Sequence, residues 1–143
     1  MPRIVSRPHR GANIVKTVRY WTHDEATAAL PRVRAQVQRI RELLTEARER
    51  GARTAGNGHA PSSNGQQSGG AEGDSELRSL VEELQRDGIV LRDPERGLID
   101  FPAQSASGRE YLLCWLDGEA AIEWWHWPDA GFAGRTPLSD PPR

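Results

Sequence analysis

Apolar residues recur at Ala26, Leu30, Val33, Val37, Ile40, Leu44 and Ala47, in alternating steps of four and three. That spacing predicts a helix with a narrow apolar seam for one partner. Thr22-His23-Asp24-Glu25 marks its start, because a hydroxyl and a carboxylate three residues later can satisfy each other's orphan amides. Pro31 removes one backbone donor and predicts a kink or a restart. Arg32, Arg34, Arg39, Arg41 and Arg48 fall mostly off the seam, as a solvated stripe with Glu42 and Glu46 for local partners. A second apolar face, Leu77, Leu80, Val81 and Leu84, predicts a helix over about Ser75–Asp87, with Gly88 as the left-handed residue that ends it. Residues 51–73, rich in Gly, Ser, Asn and Gln, predict a flexible linker in which His59 is no ligand. A linker of that length lets the second helix fold back antiparallel on the first.

From Ile89 the period changes to two. Ile89–Arg92 and Leu98–Pro102 flank Asp93-Pro94-Glu95-Arg96-Gly97, whose residue types suit a tight β-hairpin. A loop over Gln104–Gly108 leads to Glu110–Leu116, and Asp117-Gly118 turns the chain into Ala121–Trp127. The predicted fold class is α+β: a two-helix antiparallel hairpin packed on a four-stranded antiparallel β-meander. A two-residue or four-residue loop at Asp117-Gly118 gives paired residue numbers an odd sum, so parity fixes the faces. One face then carries Tyr111, Leu113, Trp115, Ile122, Trp124 and His126, and packs on the helices. The other carries Glu110, Leu112, Cys114, Leu116, Glu123, Trp125 and Trp127, and is partly wet.

Charge divides the 143-residue chain unevenly. Residues 1–56 carry a net +7 and residues 57–143 a net −8. Such asymmetry fits a nucleic-acid face, two halves that attract each other, or a self-associating surface. Residues 1–19 hold Arg3, Arg7, Arg10, Lys16 and Arg19 with no acid, and read as a basic flexible tail. Ile14–Tyr20 alternate loosely and could add a short edge strand. One domain is expected, from residues 20–50 and 74–137, with 138–143 as a second tail. A single cysteine excludes an internal disulfide and argues for a reducing compartment. No apolar run reaches a membrane span and no secretory leader is evident, so the cytoplasm is the expected location and no membrane partner is expected.

YWTHDEATAALP, DPERGLIDFPA, CWLDGE and WWHWPDAGFAGRTPL together resemble an uncharacterised bacterial family known only as a domain of unknown function. The resemblance covers about residues 20–50 and 74–137, and the middle linker is this chain's own elaboration. Its motif positions are Asp93, Gly97, Asp100, Phe101, Pro102, Cys114, Trp115, Gly118, Trp125, His126, Asp129, Gly131, Phe132, Gly134 and Arg135. Ala120 departs from the family's usual turn proline. The resemblance implies a small α+β protein with a helical hairpin and a β-meander, and it implies no activity, substrate or cofactor.

Seven of the nine aromatic residues, the only cysteine and one of four histidines lie within Leu98–Arg135, which makes that stretch the place to look for chemistry. Cys114, Glu123, His126 and Asp129 offer soft and hard metal donors, with Asp93 and Asp100 nearby. Yet Glu123 and His126 point to opposite faces of a regular strand, so no cofactor is expected and a metal ion is the minority reading. Gly131-Phe132-Ala133-Gly134-Arg135 could hold an anion through close backbone approach and a guanidinium fork, or be a turn whose Arg135 pairs with Asp129 or Asp100. Odd-sum parity puts Cys114 opposite His126, which forbids a catalytic dyad. Nucleic acid is not expected, since residues 97–135 carry a local −4.

The function expected from sequence is a binding or interaction module for a small ligand or a protein partner. Trp125, His126, Asp129, Gly131, Gly134 and Arg135 would form its site, His126 as a pH-responsive centre, Arg135 as the anion clamp and Trp125 and Trp127 as walls. A metal-dependent hydrolase and a nucleic-acid-associated protein are the alternatives. Self-association through the helical hairpin is a further expectation.

Overall fold

The computed structural model describes residues 18–57 and 65–143. The first seventeen tail residues, most of the suggested edge strand and His59 lie outside them. Two helices, α1 (His23–Asn57) and α2 (Gly65–Arg86), precede five strands, β1 (Val90–Asp93), β2 (Leu98–Gln104), β3 (Glu110–Leu116), β4 (Trp124–His126) and β5 (Thr136–Pro137). Each strand pairs antiparallel with the next in sequence. The class is α+β with a helical pair and an antiparallel sheet, but the sheet has five strands where four were expected. The fifth comes from the segment read as Gly-rich turn and tail.

Both helix ends follow their sequence signals. Thr22 Oγ1 accepts the Glu25 amide at 3.0 Å while Glu25 Oε1 accepts the Thr22 amide at 3.1 Å, a reciprocal capping box. At the other end of the hairpin, the amides of Gly88 and Ile89 donate to the carbonyls of Gln85 and Leu84. With Gly88 at φ 77°, this is a Schellman ending, and Leu84 and Ile89 meet in the core as that motif favours. α1 runs unbroken through Pro31, so the predicted restart does not occur. Helix also replaces much of the linker expected over 51–73, since α1 continues to Asn57 and α2 begins at Gly65. Propagation past a formed turn adds one hydrogen bond per ordered residue, which outweighs weak glycine propensity when both helices are already anchored.

The helices are antiparallel, tied by Arg32 to Asp87, Gln36 to Glu83, Arg39 to Glu76 and Arg50 to Asp74. The seam of α1 does not face α2 alone. Ala26, Leu30, Val33, Val37 and Ile40 join Ile99, Phe101, Ala103, Leu113, Trp115 and Ile122 in one buried cluster, to which α2 adds Leu84. The predicted helix-facing side of β3 is therefore observed. Trp21 seals one end of this core, edge-on to Phe101 with ring centroids 5.1 Å apart, while its amide donates to the Pro102 carbonyl. Val18–Tyr20 are exposed and form no strand.

The parity expected for β4 is corrected. β3 and β4 pair as Leu112 with His126, Leu113 with Trp125 and Cys114 with Trp124, an even sum. The turn at Asp117-Gly118 does form, with the Glu119 amide donating to the Leu116 carbonyl, but residues 119–123 then leave the ladder. Ile122 turns into the core, and its carbonyl accepts His23 Nε2 at 2.8 Å from the first turn of α1. Ile122 thus keeps its expected helix side, and the irregular step between it and Trp124 gives β4 the opposite parity. Trp124 and His126 consequently share the face of Cys114, and Trp125 shares the face of Tyr111 and Leu113.

One arginine sets α1 against two sheet turns. Arg41 Nε donates to the Glu95 carbonyl at 2.9 Å and its Nη1 to Asp117 at 2.7 Å. Gly97 lies in the tight space between, at φ 76°, where a Cβ would come within 2.7 Å of Asp117 Cβ. Gly97→Ala should therefore destabilise the fold by about 2–4 kcal/mol, combining backbone strain with overpacking. Gly118→Ala, with positive φ but open space around it, should cost about 1–2 kcal/mol. Urea midpoints of the two variants check this, and equal costs would contradict the close packing at Gly97.

Candidate functional site

The sheet face turned away from the helices ought to be the wetter one, yet its middle is dry. Leu98, Asp100, Pro102, Leu112, Cys114 and His126 are all buried on it. Alternation fixes their placement: Asp100 pairs with Cys114 and Pro102 with Leu112 across β2 and β3, and Leu112 pairs with His126 across β3 and β4. Two ionisable side chains and a thiol thus converge, with Asp100 fully buried and His126 2% exposed. One donor atom from each of Asp100, Cys114 and His126 lies within 4.8 Å of the others.

The chain after β4 borders this face. A 3-10 turn at Phe132–Gly134 places Phe132 between two guanidinium groups, Arg96 from the β1–β2 turn at 5.0 Å and Arg135 at 4.7 Å. Arg135 also lies 4.9 Å from the Trp124 ring, bonds Glu119 Oε1 at 2.8 Å and reaches the Cys114 carbonyl at 3.5 Å. Glu119 holds the corner together. Its carboxylate also takes the Leu116 amide, and its carbonyl takes Trp115 Nε1. Arg92 approaches Asp100 from β1 and donates Nε to Oδ2 at 2.6 Å.

Hydrogen bonding dictates the state of each group. His126 Nδ1 lies 2.8 Å from the Trp127 carbonyl, and since a carbonyl only accepts, Nδ1 carries a proton. Nε2 then faces both Asp100 oxygens at 3.1 Å. The hydrogen bond to Asp100 raises the His126 pKa above its usual 6.5, against the opposing effect of burial. Burial pushes the Asp100 carboxyl up, but bonds from His126 and Arg92 outweigh it and hold the group below its ordinary 3.8. Burial and the Asp100 charge push the Cys114 thiol up to about 12. Such a thiol is a poor nucleophile. Both imidazole nitrogens are turned to other partners, so the Cys114 thiol meets the Asp100 carboxylate and not the imidazole, although it shares a face with His126 after all.

The residues expected to form the site are divided. His126 is in the cluster. Trp125 is buried on the helix side, its Nε1 donating to the Asp140 carbonyl and its ring edge-on to Tyr111 and Trp127. Trp127 is half-buried with Arg109 3.6 Å over its ring. Asp129 is exposed. Gly131 opens the 3-10 turn at φ 70°, and Gly134 closes it where a Cβ would meet Ala130 Cβ at 2.7 Å. Arg135 pairs with Glu119 instead of either predicted acid. Of the weaker donor set, Cys114 and His126 come together. Glu123 is exposed, with its carbonyl taking the Leu138 amide. Asp100, read only as lying near the donors, is a full member, and Arg92 was missed as its partner. Their signal was an acid set among apolar residues in Leu98–Ala103, where a buried charge demands a partner.

The sequence profile of one protein family, described as uncharacterized conserved protein (DUF2203), matches residues 19–138. No curated protein and no solved structure matches the chain.

Two outcomes follow for the metal-free protein. His126 should stabilise the fold fully below pH 6.5 and lose that effect as pH rises through its raised folded value. Asp100 should stabilise it fully above pH 3.8 and lose that effect as pH falls through its lowered folded value. Urea midpoints should therefore be highest between those limits, and His126→Gln should remove the alkaline decline; an unchanged decline would assign it to another group. Cys114 should react with a bulky thiol reagent far more slowly than an exposed cysteine, and rapid labelling under native conditions would contradict its burial.

Proposed function

We propose that this chain, which belongs to the DUF2203 family of uncharacterised conserved proteins, is a small binding module whose site is the Asp100–Cys114–His126 cluster. One observation carries this: a thiol and two ionisable groups are buried together on a sheet face where apolar residues would pack without a desolvation cost. Arg92 and Arg135 border the site and set its charge, and Trp124 and Phe132 supply its apolar rim. The occupant is a small ligand or a metal ion. Catalysis at a bound metal is the alternative and would use the same donors. His126 takes the central role foreseen for it, while Asp129, Gly131 and Gly134 serve the adjoining turn.

The other faces support different roles. Arg32, Arg39, Arg41, Arg48 and Arg50 each pair with an acid of α2, of the turn that ends it or of a sheet turn, which favours mutual attraction of the two halves over a nucleic-acid surface. The α1 seam is buried within the chain, so self-association would need another surface. Among the described residues no helix is long and apolar enough to cross a membrane, and the free, buried Cys114 supports our placement of the chain in the cytoplasm.

A site kept for binding need not be the most stable filling of its space. Replacing both charged members with apolar residues of similar bulk, Asp100→Val with His126→Leu, should leave the melting temperature within a few degrees of the parent or above it. His126→Leu alone should cost about 3 kcal/mol, because it strips a partner from a buried carboxylate. Loss of cooperative unfolding in the double variant would make the cluster a structural element and remove it as the site.

A further inference from the structure

We propose that the occupant of this cluster is a thiophilic divalent cation of the zinc type, held by His126 Nε2, Asp100 Oδ1 and Cys114 Sγ. The proposal rests on the preceding one, that this cluster is the binding site.

Donor chemistry comes first. Thiolate, imidazole and carboxylate are the three side-chain ligands zinc takes, at about 2.0–2.3 Å from the metal. A tetrahedral arrangement at those lengths separates the donor atoms by about 3.3–3.7 Å. Here Nε2 and the carboxylate oxygens are 3.1 Å apart and all three donors lie within 4.8 Å. Side-chain torsions alone can close that difference. The donors also come from three adjacent strands, Asp100 on β2, Cys114 on β3 and His126 on β4, so a paired backbone fixes their spacing.

The surroundings orient each ligand. In metal sites a ligating histidine gives its other ring proton to a carbonyl or carboxylate, which fixes the tautomer and turns the lone pair to the metal. The Trp127 carbonyl does this at Nδ1, leaving Nε2 directed at the acid. Arg92 takes Oδ2 of Asp100 and leaves Oδ1 for the ion. Arg135 lies against the Cys114 carbonyl and offsets charge on the sulfur. Without a cation, a proton between Nε2 and the Asp100 oxygens holds the same groups together. A cation bound to all three would take the place of that proton and of the one on the thiol. Glu123 and Asp129, exposed and outside the cluster, are not ligands.

The test uses the full chain, reduced and treated with a chelator, titrated with cobalt(II) and then with zinc(II). Cobalt should saturate near one equivalent, with a thiolate-to-cobalt absorption in the near ultraviolet and visible bands of tetrahedral intensity. Zinc should bleach those bands and raise the melting temperature by several degrees. Cys114→Ser should remain folded and lose the near-ultraviolet band, and Asp100→Asn should weaken zinc binding at least tenfold. Cobalt uptake without the thiolate band, or a band that survives in Cys114→Ser, would overturn the assignment. So would the absence of any band or melting shift. If that happens while the Asp100→Val/His126→Leu variant is still stable, the cluster remains a site for another ligand and only the cation is lost.

Discussion

An ionised carboxylate with no exposure to water is the feature on which the rest of this structure turns. Asp100 sits mid-strand between buried apolar neighbours, and its charge is tolerable only because Arg92 meets it from neighbouring β1 and His126 reaches it from β4, beyond β3. Those contacts require a particular registry: β1 must offer Arg92 beside β2, and β4 must return with His126 on the Cys114 face. A one-residue slip in β4 would move the imidazole to the other side of the sheet and strand the carboxylate. The charge thus opposes misregistered pairings of a tryptophan-rich sheet whose apolar residues alone discriminate weakly between faces.

That registry is reached through a detour. Ile122 leaves the ladder to fill the core beneath the first turn of α1, where His23 takes its carbonyl. A strand that ran straight on from Asp117-Gly118 would turn His126 to the same side as the isoleucine and invert the site, so the irregular step between them sets the parity of β4. Beyond β4, Gly134 packs against Ala130 and Arg135 reaches Glu119, so the segment bordering the cluster is fastened at several points. Packing on the helix side and chemistry on the far side therefore depend on one short irregular stretch.

Much of this architecture was legible in the residues. Periodicity located α1 and the helix-facing side of β3, Thr22 and Glu25 marked the cap, Gly88 marked the end of α2, and Asp93–Gly97 marked the first hairpin, because each rests on local chemistry. The parity of β4 was not legible, since it depends on the irregular step between Ile122 and Trp124, a tertiary matter that no turn dipeptide records. The helical extension through residues 51–57 and 65–73 was hidden behind glycine-rich composition. β5 was missed because two residues are too few to alternate. In the site, His126 could be singled out from its setting among aromatics, whereas Asp100 and Cys114 became its neighbours only once the true pairing was known. Arg135 was read as an anion clamp, and only the fold shows Glu119 within its reach.

The uneven charge of the chain also finds its use in the fold. The basic stripe of α1 faces acids of α2, of the turn that ends it and of the sheet turns, adding many small, screened contributions that align the helical pair with the sheet. The cluster around His126 stands apart from these exposed pairs by its burial, and its ring is the most direct reporter. Nitrogen-15 spectra of that ring across a pH titration of the metal-free protein decide the matter. The account predicts a midpoint above the roughly 6.5 of an unperturbed histidine, with Nδ1 keeping its proton on both sides of the transition. A midpoint below that value, or a neutral ring protonated at Nε2, would contradict it.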